Sequence, residues 1–350
     1  HNGAGSQVFI SRKGGAGGEM SRFDVVTLGE TLLRMTPPGQ LRIEQAAYFE
    51  LEAGGTESNT AVALARLGVR TTWISRMPEN ALGRRIARTL LGHGVDTSYI
   101  VWAEGERLGT FFVEFGDGAR ATSIIYDRAD SAASRMTPDE LPVELFSKAS
   151  GRHLHLTGIT LAISASSAAT AKRALELARA AGWSVSFDFN YRSKLWSPEE
   201  SRRGCHPFAA AADIVFAPIR DAQTHYGLPE EITPEEALAA LRQAFPQATV
   251  ILTLGADGSI AAEPGQDPIR QPVFPGGGTI GRIGAGDAFT AGVLYRYLHH
   301  DREDWLADAL RWGAAAAGMK FTIPGDMGVF EREEVAALVE SGGYSDEVSR

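Results

Sequence analysis

"GRIGAGDAFTAG", residues 281–292, sets three glycines and an aspartate directly ahead of an apolar run with helical spacing. Two readings fit. A tight strand-to-helix turn needs glycine, and Asp287 would then merely cap the helix behind it. Alternatively, Gly284, Ala285 and Gly286 leave amide N–H groups unobstructed at the mouth of a helix over 286–299, where unpaired donors and the helix dipole favour an anion. Asp287 would be a poor choice for phosphate binding alone, because its charge repels phosphate. It makes sense if it accepts a proton from a hydroxyl that attacks that phosphate.

Outward from this stretch, strands and helices alternate. "HLHLTGI" begins a buried strand near residue 153, followed by an Ala-rich helix over 164–181 and strands in "SVSFDFN" (184–190) and "ADIVFAP" (212–218). A helix over 234–244, the strand of "ATVILTLGADG" (248–258) and a last helix over 303–318 complete the series. Such alternation predicts a mostly parallel sheet between two helix layers. The N-terminal half opens with a buried strand in "FDVVTLGE" (23–30) and has helical periodicity over 58–68 and 80–94. Two segments of strand-like character, about 31–51 and 98–128, interrupt it; "GTFFVEFG" and "ATSIIYDR" within them read as a hairpin. These early strands are expected to form a small antiparallel sheet inserted into the α/β core. No linker divides the chain, so residues 21–340 are expected to form one domain, with 1–20 an added tag or loose extension and 341–350 a tail.

Composition narrows the function classes. With 34 basic and 43 acidic residues the chain carries a net charge of −9, which argues against nucleic-acid or membrane-surface partners. An anionic substrate would need local arginines, metal ions or helix termini. Cys205 is the only cysteine, so no internal disulfide can form and a cytoplasmic setting is expected. No G-x-x-x-x-G-K-[ST] occurs, and "GAGDAF" fails the dinucleotide fingerprint at its last glycine.

"GGTESNTAVALARLG" (54–68) places two glycines before a polar cluster and a helix. Paired with "GAGDAFTAG" downstream, it strongly resembles the PfkB, or ribokinase-like, family of sugar kinases, over residues 23–330. The resemblance implies a Rossmann-like core, a β-sheet lid over the sugar, and ATP with Mg²⁺ as donor. A small sheet with apolar residues such as Phe111, Phe115 and Ile125 must bury one face, which the sugar covers only in part, so a homodimer paired through the lids is expected. It implies Asp287 as catalytic base, residues 284–287 as the anion hole, and Gly54, Gly55 and Asn59 at the sugar. "YDRADSAAS" (126–134), "FDFNYRSKLW" (187–196), "LGETLLRMTP" and "IPGDMG" resemble the 2-keto-3-deoxygluconate kinase branch, which adds Tyr126, Arg128 and Arg192 as contacts to a sugar acid. A carboxylate needs a guanidinium fork where a neutral hexose does not; structural salt bridges are the other reading of both arginines. Phe112 stands where acid-binding relatives often carry Tyr.

For the nucleotide, "TLGADGS" (253–259) resembles the family's strand-end loop, which makes Thr253, Gly255 and Gly258 candidates, against an ordinary turn between strands. "RWGAAAAGMKF" (311–321) would line the adenine pocket or simply pack. Two positions depart from the family pattern. "GRIGAGD" has Gly281 and Arg282 where Asp-Thr is usual, and "PIRD" offers Pro218 and Asp221 where the metal-linked Asn-x-x-Glu stands, leaving Asp221 to reach Mg²⁺ through water. The expected reaction is ATP-dependent phosphorylation of 2-keto-3-deoxygluconate to its 6-phosphate. The alternatives are a fructokinase or other neutral-sugar kinase, and a weakly active sugar-binding regulatory homologue. His153 and His155, one strand period apart, read as a packed or hydrogen-bonded pair.

Overall fold

The computed structural model describes residues 22–116, 119–274, 280–300 and 304–343. The expected N-terminal extension, most of the tail and the tip of the hairpin turn at 117–118 lie outside the described residues.

Nine strands form the large sheet among the described residues. Its first strand in the chain, β1 (Val25–Leu28), is flanked on one side by β4 (Thr71–Pro78) and the edge strand β5 (Ile100–Ala103). On the other side follow β8 (His153–Thr157), β9 (Ser184–Asp188), β10 (Ile214–Pro218), β11 (Thr249–Thr253), β12 (Ser259–Ala262) and β13 (Ile269–Gln271). All neighbours pair parallel except β11–β12 and β12–β13, which are antiparallel. The buried apolar runs of the inner strands explain this, because each face meets a separate helix layer. Val26, Leu154, Val215 and Val250 point into one core, under the helices Ala165–Ala180, Pro198–Ala210 and Pro234–Ala244. Val25, Ile214, Phe216 and Ile251 point into the other, against Thr56–Arg66, Ala285–His299 and Trp305–Phe321.

Local chemistry starts several of these helices. In "SPEE" and "TPEE" the hydroxyls of Ser197 and Thr233 accept the amides of Glu200 and Glu236, whose carboxylates reach back, and a proline fills the first helical position. Asn80 caps Ala81–Gly92 by accepting the amides of Leu82 and Gly83 at 3.0 and 3.1 Å. The helices Ala285–His299 and Trp305–Phe321 approach closely because both contribute glycines. A Cβ on Gly292 would come within 2.5 Å of the Trp312 carbonyl, and one on Gly313 would meet the Phe289 ring at 3.0 Å. The Ala-rich 311–321 stretch packs through Trp312, Ala315 and Ala316, and none of it lines the cavity described below.

The second sheet has the order β3 (Glu50–Gly54), β2 (Leu32–Thr36), β6 (Thr110–Glu114), β7 (Ser123–Asp127). Two expectations need correction. The sheet is mixed, because β2 and β6 run parallel while β2–β3 and β6–β7 are antiparallel. The stretch 98–128 also divides: Ile100–Ala103 pairs with Ser75–Pro78 at the edge of the large sheet, and only the hairpin belongs to the small one. The hydrophobic pattern of four residues in β5 could not show which sheet it joins.

His153 and His155 do form a hydrogen-bonded pair. Both rings meet the Ser186 hydroxyl, at 2.7 and 2.8 Å, deep in the core between β8 and β9.

Candidate active site

One cavity of about 1170 Å³ opens at the carboxyl ends of the strands and is closed on one side by the small sheet. That is where an open α/β sheet binds ligands, because loops diverge there on either side of the switch between β1 and β8. Asp188 ends β9, Pro218 ends β10 and Thr253 ends β11, and all three line the cavity.

Asp287 stands in the first turn of Ala285–His299, at the cavity wall. Its carboxylate accepts the Thr56 hydroxyl at 2.6 Å and the Asn59 amide at 2.7 Å, both from the helix that follows the Gly54–Gly55 pair. Thr56 in turn accepts from Asn190 at 2.7 Å. These bonds fix the carboxylate and draw its pKa down, but burial dominates and holds it above the ordinary carboxylate value.

Gly284 caps the helix with φ +85°, and a Cβ there would collide with the Asp326 carbonyl. Only glycine fits both conditions. Gly286 is different: a Cβ would meet no protein atom within 4 Å and would project into open space. The Gly286 and Asp287 amides find no backbone carbonyl acceptor among the described residues, as expected of a first helical turn. Ala285 is buried and does not line the cavity, and its amide donates to the Arg282 carbonyl at 3.4 Å.

Asp188 and Asp221 line the same cavity. Asp188 accepts the Asn190 amide at 3.0 Å and Asp221 the Tyr191 amide at 2.8 Å, in each case through one oxygen. Burial, with Asp221 and Asp287 nearby, pushes Asp188 up to about 8; burial lifts Asp221 to about 6. Two carboxyls this reluctant to ionise, each with one oxygen left over, suit a bound cation. Among the described residues no group of three His, Cys, Asp or Glu side chains could hold a metal alone. Magnesium, which keeps several waters and shares ligands with phosphates, needs only one or two carboxylates, so the pair fits.

Most of the expected sugar-side residues converge on the cavity: Gly54, Gly55, Asn59, Tyr126, Arg128 and Arg192. Arg128 is already committed, since its Nε donates to the buried Glu30 at 2.9 Å and its Nη2 to the same oxygen. Arg192 forms no ion pair among the described residues, although its charge is felt at Asp188, Asp221 and Asp287. Phe112 is not at the cavity. The strand alternation turns its neighbour Phe111 inward, stacked on Tyr126 with centroids 5.7 Å apart, and turns Phe112 outward onto Phe49. On the nucleotide side Thr253 lines the cavity, but Gly255 and Gly258 do not; they make the turn from β11 to β12, with φ +65° and +89°. The departures have visible places. Arg282 and Pro218 line the cavity, and Gly281 lies against Lys320. The sequence reading missed Glu30, Thr56, Phe111, Asn190, Lys194 and Asp326, all of which line the cavity. Thr56 sits inside the polar cluster of "GGTESN", and Asp326 inside "IPGDMG".

The profile of the pfkB family carbohydrate kinases matches residues 22–330. The chain belongs to the PfkB family. It is a carbohydrate kinase with the ribokinase-like fold of that family, whose sugar kinases use ATP. A 2-dehydro-3-deoxygalactonokinase from Haloferax volcanii is 38% identical over 91% of this chain and 97% of its own length. Among solved structures, 2-dehydro-3-deoxygluconokinase from Thermotoga maritima superposes with a TM-score of 0.81 at 30% identity, covering 91% of this chain and 99% of that one. A fructokinase from Vibrio cholerae O395, solved with fructose, ADP and calcium, gives 0.77 at 27% identity over 91% and 100%. Among the described residues no helix is long and apolar enough to cross a membrane.

The open space beside Gly286 makes a clean test of the phosphate cradle. Gly286→Ala should fold at least as well as wild type, since Gly within a helix costs about 0.5–1 kcal/mol against Ala. If these amides receive phosphate, the methyl group would intrude on the anion, and kcat/KM for ATP should fall by at least about tenfold, the equivalent of 1.4 kcal/mol. Unchanged melting with unchanged turnover would show that no phosphate approaches that backbone.

Proposed function

We propose that this kinase transfers the γ-phosphoryl group of ATP to the primary hydroxyl of a 2-keto-3-deoxy sugar acid, 2-keto-3-deoxygluconate giving its 6-phosphate. The observation that carries the substrate class is Arg192, a guanidinium at the cavity without an ion-pair partner among the described residues. Arg128, held by Glu30, shapes the wall and keeps only part of its donor set for the sugar. The similarity to two kinases named for 2-dehydro-3-deoxy sugar acids, one of them the galactonate epimer, supports the same class.

In this reading the sugar lies against Gly54, Gly55, Asn59 and Tyr126, with its O6 at Asp287. As the bond from O6 to phosphorus forms and the bond from phosphorus to the departing ADP oxygen breaks, Asp287 takes the O6 proton. Backbone amides of residues 284–287 meet the charge on the transferring group, and Thr56 and Asn59 keep the carboxylate aimed. Asp221, through water, and Asp188 would hold Mg²⁺, which supplies charge neutralisation at the phosphates. Thr253 borders the nucleotide.

Asp287→Asn should keep ADP binding and lose roughly 10²–10⁴-fold in kcat, the usual contribution of a general base. Because burial raises the Asp287 pKa, wild-type kcat/KM should fall as pH is lowered through that value, where the carboxyl is protonated and cannot accept. An asparagine variant with near-wild-type turnover would remove Asp287 from the reaction.

The rival substrate is a neutral ketose, favoured by the likeness to the fructose-bound kinase. Arg192→Met should reduce kcat/KM for the acid by roughly ten- to a hundred-fold, because a charge-assisted hydrogen bond contributes about 1.5–3 kcal/mol. Fructose should lose far less. Equal losses on both would make Arg192 structural, and a wild-type preference for fructose would overturn the acid reading.

The small sheet also supports pairing with a second copy. Its register aligns Leu51, Met35, Phe112 and Ile125 in one row across all four strands on the face turned from the cavity. Leu51 is 40% and Ile125 52% exposed, so this apolar row lacks cover within one chain. A native mass of twice 37.5 kDa is expected, reduced to one chain by Ile125→Lys. A wild-type monomer at micromolar concentration would contradict the pairing.

A further inference from the structure

The proposed chemistry leaves one buried charge without a task. Lys320, in the last turn of Trp305–Phe321, is fully buried, and its ammonium donates to the Ile323 carbonyl at 2.9 Å. Lysine is almost never fully buried unless it is paired. The segment leading into the phosphate cradle passes directly over it. A Cβ on Gly281 would lie 2.9 Å from the Ile323 carbonyl and 3.4 Å from the Lys320 ammonium, and no side chain at 281 has room to extend. The same segment is fastened to the end of the lysine's helix, because the Ile280 and Gly281 amides both donate to the Phe321 carbonyl, at 2.8 and 3.2 Å.

The surroundings explain why a cation is there. The C-terminal end of a helix is electronegative. Asp326 and Glu52 contribute two carboxylates that flank Arg34, an ion-paired and almost fully buried guanidinium on β2. Arg34 and Lys320 together balance Asp326 and Glu52. The balance matters because of what this set touches: the Asp326 carbonyl packs against Gly284, the cap of the phosphate-facing helix. Lys320 also acts at a distance on Asp287, where its charge is among the influences that favour the ionised carboxylate.

We propose that Lys320 is a positioning residue that holds residues 280–284 against the end of Trp305–Phe321 and neutralises the acidic pair beneath the phosphate cradle. Without it, one uncompensated negative charge would remain under a site that must accept phosphate, in a medium where such a charge is poorly screened. The inference rests on the kinase reading for its ligand, but it concerns charge balance, and ADP binding reads that without any sugar.

The test measures ADP affinity by calorimetry, together with kcat and KM for ATP, in wild type and three variants. Lys320→Met keeps the length and removes the charge. ADP should bind roughly tenfold more weakly, the effect of one unit charge at about 10 Å with an effective dielectric of about 20. Lys320→Met with Glu52→Gln restores neutrality and should return to within about fivefold of wild type, the residual loss reflecting the missing bond to Ile323. Glu52→Gln alone leaves a net positive set and should bind ADP more tightly than wild type. A double variant as poor as the single, or a single variant as good as wild type, would overturn the proposal. If Lys320→Met fails to fold while the double variant folds, charge balance is supported. If neither folds, Glu52→Gln decides: tighter ADP binding supports the proposal and unchanged binding overturns it. A wild type that binds no ADP overturns both this inference and the kinase reading. One that binds and turns over, with unaffected variants, overturns this inference alone.

Discussion

A carboxylate held at the N-terminal end of a helix, where an anion site would otherwise be complete, is the constraint around which this molecule is arranged. In the proposed reaction Asp287 must remain ionisable beside the amides that would receive phosphate. Two hydrogen bonds, from Thr56 and Asn59, stabilise its charge, each bond to a charged group contributing on the order of 1.5–3 kcal/mol. Burial opposes them and prevails, so the carboxyl is more basic than a free aspartate. A raised pKa makes the carboxylate a better proton acceptor, as the proposed base role requires.

Satisfying Asp287 ties distant parts of the chain together. Its two donors come from the helix after Gly54–Gly55, more than two hundred residues upstream, and Asn190, after β9, completes the relay through Thr56. Gly284, the cap of the helix that carries Asp287, is closed from behind by Asp326, which reaches the small sheet through Arg34. The small sheet, the first glycine pair, the phosphate-facing helix and the end of Trp305–Phe321 therefore meet in one polar region.

Much of this was legible in the residues. The alternation from 150 onward carries the parallel sheet, since doubly buried strands read as short apolar runs between amphipathic helices. The glycine and aspartate pattern at 281–292 marks the helix start to within a residue. The harder features were those set by tertiary pairing. "TFFVE" offers two phenylalanines in succession, and only the register against Tyr126 and Ile125 decides that Phe111 faces the cavity and Phe112 the outer row. A one-residue shift exchanges them. The sheet to which Ile100–Ala103 belongs is not legible locally, because its partner lies at residues 75–78, far from the hairpin. Gly255 and Gly258 resemble glycines of the family's nucleotide loop, and the structure shows that their positive φ angles also make the turn into an antiparallel strand. Arg128 reads as a free guanidinium in the sequence, and its partner Glu30, 98 positions earlier, is brought to it only by the fold.

The most direct measurement of the account is a substrate panel followed by ADP release with Mg-ATP, with the phosphorylated position identified by phosphorus NMR. 2-Keto-3-deoxygluconate, its galactonate epimer, fructose and ribose would be compared by kcat/KM. The account predicts that a 2-keto-3-deoxy acid leads the panel by at least about tenfold and is phosphorylated on O6. A panel led by a neutral sugar, or phosphorylation at another oxygen, would contradict it.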